Sequence, residues 1–231
     1  MKPAPRAGLF NAMAAKKKIL LVEDHPIFRL GLGELINNEE DLVVCGGAES
    51  VNQALQAIAD LQPDLVVADI TLQNSDGIDL VKEVNRRYKD LPVLVLSMHD
   101  EFLYAERALH AGARGYIMKQ EAMESVVTAI RHVLGGKVYL NEAMKEHILS
   151  NIADRSNSLD KSPIDRLTDR ELEVFGMIGK GLSTREIAGK LHLSIKTIGT
   201  YRERIKEKLN LKHATELVRH AVHWEKTGEL E

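Results

Sequence analysis

Leu65-Val66-Val67-Ala68-Asp69 decides the fold of this chain. An apolar run of strand length, without polar alternation, fits a strand buried on both faces. Such strands belong to parallel sheets covered by helices. The run ends on a carboxylate, and three others follow the same plan. Ile19-Leu20-Leu21-Val22 leads into Glu23-Asp24, Val93-Leu94-Val95-Leu96 into Ser97, and Gly115-Tyr116-Ile117-Met118 into Lys119. Strands are expected over 18–23, 42–46, 65–69, 93–97 and 115–118, and helices over 26–37, 51–61, 77–88, 102–111 and 122–134. This alternation gives an α/β, doubly wound (βα)5 unit around a parallel five-stranded sheet. Pro26 suits a helix first turn. Gly112 and Gly135 stand just past helical stretches, where a left-handed residue ends a helix.

Open α/β sheets bind ligands beyond the carboxyl ends of their strands. Acids, a hydroxyl and an amine delivered by separate strand ends therefore form one candidate site, and the chemistry that fits is phosphoryl transfer to a carboxylate. Carboxylates at close range repel one another unless a cation lies among them. Mg²⁺ takes hard oxygen ligands and keeps several waters. Asp24 and Asp69, helped by Glu23 through water and by the backbone carbonyl of Thr71, would supply such a set. A cation there neutralises charge on the phosphoryl oxygens, Lys119 offers a second positive charge, and Ser97 a hydrogen bond. Taken singly, each residue has a plainer reading: Asp69 as a turn former, Glu23-Asp24 as a helix cap, Ser97 as a loop hydroxyl, Lys119 as a solvated amine. Their joint occurrence at strand ends favours the site.

At 231 residues the chain is long enough for two domains. A formal net charge of -3 excludes a globally basic polymer-binding protein but leaves room for a local basic patch. Cys45, the single cysteine, follows an apolar run and reads as a core thiol, which fits a reducing compartment. Met1 to Ala15 lacks a signal-peptide core, and no apolar stretch approaches the roughly 20 residues that span a bilayer. The expectation is a cytoplasmic protein without a membrane partner. Its parts would be a disordered leader (1–16), the α/β unit (17–136), an extra helix near 141–150 with a linker (137–163), and a second unit (164–231).

That second unit reads as all-α, with four helices. Thr168 with Glu171 and Ser183 with Glu186 have capping-box spacing. Helices are expected over about 168–179, 183–191, 194–209 and 214–225, and the middle pair has the spacing of a helix-turn-helix. Between 194 and 212 six basic residues face two acidic ones, the footprint of a phosphate-binding surface; a solvated amphipathic helix is the plain alternative. Ile198, Ile205 and Leu209 recur on one face and are expected in the core. Lys196, Thr197, Gly199, Thr200, Glu203 and Lys206 then point outward. Thr184, Lys196, Thr197 and Arg204 are the candidates for phosphate contacts.

With Lys17-Lys18-Ile19-Leu20-Leu21-Val22 before Glu23-Asp24, then Asp69, Ser97, Tyr116 and Lys119, residues 17–135 resemble the receiver domain of bacterial response regulators. Leu167-Thr168-Asp169-Arg170-Glu171-Leu172-Glu173, Gly181-Leu182-Ser183, Glu186-Ile187-Ala188, Leu193-Ser194, Lys196-Thr197-Ile198 and Lys208-Leu209 resemble the LuxR-type helix-turn-helix of the NarL/FixJ class. The resemblance implies a two-component transcription regulator, not an enzyme, phosphorylated on Asp69 by a sensor histidine kinase. Phosphorylation would then control homodimerisation and binding to promoter DNA. It implies Mg²⁺ at the acid pair, Lys119 on the phosphoryl group, and Ser97 with Tyr116 as the switch. Thr71 and His99, two residues past Asp69 and Ser97, would tune the phosphoryl lifetime. Base contacts fall at Gly199, Thr200 and Glu203, and a dimer face on Leu217, Val218, Ala221 and Val222, for which core packing is the plain alternative.

Two positions depart from the family pattern. Leu72-Gln73 stands where Met-Pro is common, implying a freer acceptor loop, and Gly199 stands where relatives often carry lysine, so base specificity does not carry over. Two rivals are a receiver that works without phosphorylation and a haloacid-dehalogenase-like phosphatase. The second requires another Asp two residues past the nucleophile, where this chain has Thr71.

Overall fold

The computed structural model describes residues 15–72, 75–98, 101–154, 163–191 and 193–227. The first unit alternates as expected: β1 (Lys17–Val22), α1 (Pro26–Asn37), β2 (Leu42–Ala48), α2 (Val51–Leu61), β3 (Leu65–Asp69), then α3 (Gly77–Arg87), β6 (Val93–Ser97), α4 (Glu101–Ala111), β7 (Gly115–Met118) and α5 (Lys119–Leu134). A two-stranded hairpin, β4 (Thr71–Leu72) with β5 (Ser75–Asp76), interrupts the stretch after β3; it is too short to leave a periodic signal. The main sheet is parallel, in the order β2-β1-β3-β6-β7. Connections run outward in both directions from the β1/β3 pair, which makes the carboxyl ends of those two strands the switch point where such sheets bind ligands.

Strand side chains alternate between the two faces. Leu20, Val22, Val66, Ala68 and Val95 pack on one side with Ala54 and Ile58 of α2, Val81 and Val84 of α3, and Ala105 and Ala108 of α4. Ile19, Leu21, Val67 and Leu96 pack on the other with Leu32 and Ile36 of α1 and Val126, Ile130 and Val133 of α5. Burying each large aliphatic side chain contributes about 1.5–3 kcal/mol before entropy is charged against it. Register then sets the site. Val22 pairs with Ala68, Asp69 with Leu96, and Ser97 with Met118, so Glu23, Asp69, Ser97 and Lys119 leave adjacent strands at nearly one level.

Several details differ from the sequence expectation. Helix α5 begins at Lys119, not near residue 122, so the lysine belongs to the first helical turn. The left-handed residue after α5 is Gly136, φ 78°, while Gly135 has φ −76° and only Gly112 of the expected pair is left-handed. Helix α6 (Glu142–Asp154) is longer than expected and takes in part of the anticipated linker. The leader up to residue 14, the linker residues 155–162, Gln73-Asn74 and His192 lie outside the described residues.

The second unit opens with a 3-10 turn (Pro163–Arg166), followed by α7 (Asp169–Gly179), α8 (Thr184–Lys190), α9 (Ile195–Lys208) and α10 (Ala214–Thr227). Both capping boxes form as the spacing required, Thr168 with Glu171 and Ser183 with Glu186. The core gathers Leu172, Phe175 and Ile178 of α7, Ile187 of α8, Ile198 and Ile205 of α9, and Leu217 and Ala221 of α10. Phe175 lies against Trp224, ring centroids 5.6 Å apart. A Cβ at Gly179 would fall 2.4 Å from the Ala221 carbonyl oxygen, so α7 and α10 approach closely only because that residue is glycine. Among the described residues no helix is long and apolar enough to cross a membrane.

Candidate functional site

Asp69 closes β3 with a carboxylate only 1% exposed, and Glu23, just past β1, is 2% exposed. Lys119 reaches between them from the first turn of α5, its Nζ 2.9 Å from Asp69 Oδ2 and 2.7 Å from Glu23 Oε2. The same ammonium lies 4.9 Å from the centroid of the Phe28 ring, and attraction to the ring face adds to its hold. On the other side of Asp69 the Thr71 N–H donates to Oδ1 at 3.1 Å. A buried carboxylate is thus oriented through both oxygens.

Burial pushes the Asp69 carboxyl up; the Lys119 charge opposes this and the Glu23 charge adds to it, leaving the group at about 6. At neutral pH it is still mainly ionised, the form a nucleophilic carboxylate requires. Burial pulls the Lys119 ammonium down, but attraction to Asp69 and Glu23 outweighs it and holds the group above the ordinary lysine range. The amine therefore stays charged.

His25, which sequence reasoning missed, joins the cluster. Its backbone N–H donates to Glu23 Oε1 at 3.0 Å, and its Nδ1 lies 3.1 Å from that oxygen and 2.9 Å from Asp24 Oδ1. Glu23 Oε2 and Asp24 Oδ1 are buried yet make no well-aligned hydrogen bond in the protein; Lys119 Nζ lies beside the first and His25 Nδ1 beside the second. Ligand atoms of Glu23, Asp24, His25 and Asp69 all lie within 4.8 Å of one another. Acidic oxygens gathered at that range, two of them short of hydrogen bonds, fit a hard divalent cation.

Ser97 and Tyr116 are buried at the ends of β6 and in β7. The Tyr116 ring already lies inside, at 1% exposure. Thr71 is half-buried beside Asp69, and His99 lies outside the described residues. Gly77 is a second residue that the sequence reading passed over. A Cβ there would stand 2.1 Å from the Asp69 carbonyl oxygen and 2.7 Å from Ile70 Cα, and the Gly77 N–H donates to the Ile70 carbonyl at 2.8 Å. Only glycine lets the start of α3 press against the end of β3. The Asp76-Gly77 dipeptide, a turn signal, was the cue available.

In the second unit, Ser194 caps α9 through a hydrogen bond from the Thr197 N–H at 3.0 Å, and the Ser194 and Thr197 hydroxyls lie 2.7 Å apart. Lys196, Thr200, Glu203 and Arg204 are exposed along the helix, and Thr184 is half-exposed at the start of α8. Glu203 pairs with Lys206 at 2.8 Å. Lys206 keeps only 17% of its side chain exposed, so it lies at the edge of the outward face, not on its crest. The far end of α9 is tied down by Lys208, 2.6 Å from the buried Glu171 carboxylate that also closes the α7 capping box. The expected dimer face narrows. Leu217 and Ala221 are fully buried in the unit's own core, where α10 packs on α7; Val218 is exposed and Val222 half-buried.

Two family models match the chain: the response regulator receiver domain over residues 19–131, and the luxR family of bacterial regulatory proteins over residues 165–221. The oxygen regulatory protein NreC of Staphylococcus carnosus is 32% identical over 210 residues, covering 89% of this chain and 96% of the relative. A two-component response regulator of the LuxR family from Aurantimonas sp. shares 29% identity with a TM-score of 0.56, over 60% of this chain and 99% of that one. RcsB from Salmonella enterica serovar Typhimurium, in a structure bound to a promoter with the phosphomimetic BeF3-, shares the fold at 24% identity. Its TM-score is 0.55, over 88% of this chain and 97% of that one.

Proposed function

The chain belongs to the response regulators that join a receiver domain to a LuxR-type DNA-binding domain, and we propose that Asp69 is the residue through which it is switched. The observation that carries this is the buried triad at the β1/β3 switch point, Asp69 held by Lys119 at 2.9 Å beside Glu23. A sensor histidine kinase presents a phosphohistidine. An Asp69 carboxylate oxygen attacks phosphorus, the phosphorus–nitrogen bond breaks, and an acyl phosphate forms. Lys119 stays charged throughout and is placed to contact one phosphoryl oxygen, while the Thr71 N–H holds the non-attacking oxygen of Asp69. Mg²⁺ held by Asp24, Asp69 and the Thr71 carbonyl, with Glu23 behind, would neutralise charge on the phosphoryl group. Ser97 and Tyr116 are the switch pair that senses the new group.

Phosphorylation is read out in the second domain. Docked as a helix-turn-helix, α9 places its N-terminal half against base edges. Lys196, Thr197, Arg204 and Thr184 meet phosphates, Gly199, Thr200 and Glu203 face the bases, and Lys206 lies at the rim. Val218 and Val222 are what remains for a homodimer contact between activated copies. With a kinase and promoter DNA as partners, the protein acts in the cytoplasm.

The test is direct. Acetyl phosphate with Mg²⁺ should label the wild-type chain and raise its affinity for promoter DNA. Asp69→Asn should fold normally and show neither response. Labelling that persists in Asp69→Asn would move the acceptor elsewhere, and full phosphate-stimulated DNA binding by that variant would remove the switch. Turnover of a generic phosphate ester would revive the phosphatase rival.

A further inference from the structure

Ile195 is the first residue of α9, directly after its cap Ser194, and is 51% exposed. Most large apolar side chains of this unit lie in its core, including Ile187, Ile198, Ile205 and Leu217. A single exposed apolar residue is ordinary, so exposure alone carries little. The second feature lies one turn on. Gly199 sits inside α9, where glycine weakens a helix relative to alanine. At Gly179 close packing requires the glycine; at Gly199 an added Cβ would meet nothing within 4 Å. No contact among the described residues therefore explains Gly199.

Residues four apart share a helix face. Ile195 stands beside the bare backbone of Gly199, with the exposed Lys196 and Thr200 adjoining. The result is an apolar notch on the half of α9 that meets base edges when a helix-turn-helix docks. In the major groove the apolar feature of a base edge is the 5-methyl group of thymine. Resting on the DNA-binding reading above, we propose that Ile195 and Gly199 together seat one thymine methyl in each half-site, so that this pair sets a base preference. Isoleucine packs on the methyl, and glycine lets the base approach the helix backbone.

Target duplexes would be selected from random-sequence double-stranded DNA with the full chain in the presence of acetyl phosphate and Mg²⁺. Each thymine is then replaced singly by deoxyuridine, which removes the methyl and nothing else. One replacement per half-site should weaken wild-type binding about fourfold, the value of one buried methyl. Ile195→Ala should bind the thymine and deoxyuridine duplexes equally at that position. Gly199→Ala should lose at least the same factor on the thymine duplex while its unfolding midpoint holds or rises. A selected duplex with no methyl-sensitive position, or one whose sensitivity persists in Ile195→Ala, overturns the notch and leaves DNA binding standing. Failure to enrich any duplex would overturn both.

Discussion

Replacing Lys119 by methionine keeps an unbranched apolar stem and removes the ammonium that lies 2.9 Å from Asp69 and 2.7 Å from Glu23. At an effective dielectric of about 20, each contact represents roughly 6 kcal/mol of gross Coulomb attraction. Desolvation of the three groups cancels much of this. What the variant exposes is the cost of leaving carboxylates 1% and 2% accessible without their cation, about 3–5 kcal/mol for a broken buried pair. Urea unfolding followed by circular dichroism in EDTA should show a loss of that size. Excess Mg²⁺ should recover part of it, since a divalent ion among the acids supplies the missing charge. Lys119→Met combined with Asp69→Asn should recover part of it without metal, because one uncompensated charge is gone. A loss under about 0.5 kcal/mol, within the range of ordinary surface changes, would refute the electrostatic reasoning. So would a loss that neither Mg²⁺ nor the second substitution reduces.

Gly77→Ala should destabilise the first domain by about 1–3 kcal/mol and slow acetyl phosphate labelling, because its Cβ would press on the Asp69 carbonyl oxygen; unchanged labelling would mean that α3 shifts freely. Glu171→Gln removes the charge held 2.6 Å from Lys208 and should cost about 1–2 kcal/mol, the amine being partly solvated, with weaker DNA binding as α9 loosens. Equal stability and affinity in that variant would show that the ion pair does not position α9. Ser194→Ala removes the cap that accepts from the Thr197 N–H and should cost about 1 kcal/mol, read as a lowered melting temperature of the second domain.

Much of the site was legible because a parallel sheet turns strand order into proximity. Four apolar runs ending in Glu23, Asp69, Ser97 and Met118-Lys119 had to deliver those residues to one edge. The helix caps were equally legible, since Thr168 and Ser183 act on their own neighbours. Gly77 was not, because its requirement comes from a backbone atom eight residues earlier in the chain, brought near by the β4–β5 hairpin. His25 carries no local signal beyond standing before Pro26; its approach to Glu23 and Asp24 depends on the path of the chain after β1. The α10 stripe could not be divided from spacing alone, because periodicity marks an apolar face without saying what covers it.

The sequence by itself determined the (βα)5 order, the helix-turn-helix and the identity of Asp69 as the acid to watch, all consequences of local pattern. Tertiary structure decided how that acid is held. Register brings Lys119 into the first turn of α5 between Asp69 and Glu23, where burial pushes the Asp69 carboxyl up and the two acids keep the lysine charged. It likewise decided that Leu217 and Ala221 serve the core while Ile195 and Gly199 stay open. Burial and Coulomb energy depend on distance in space, and separation along the chain does not specify that distance.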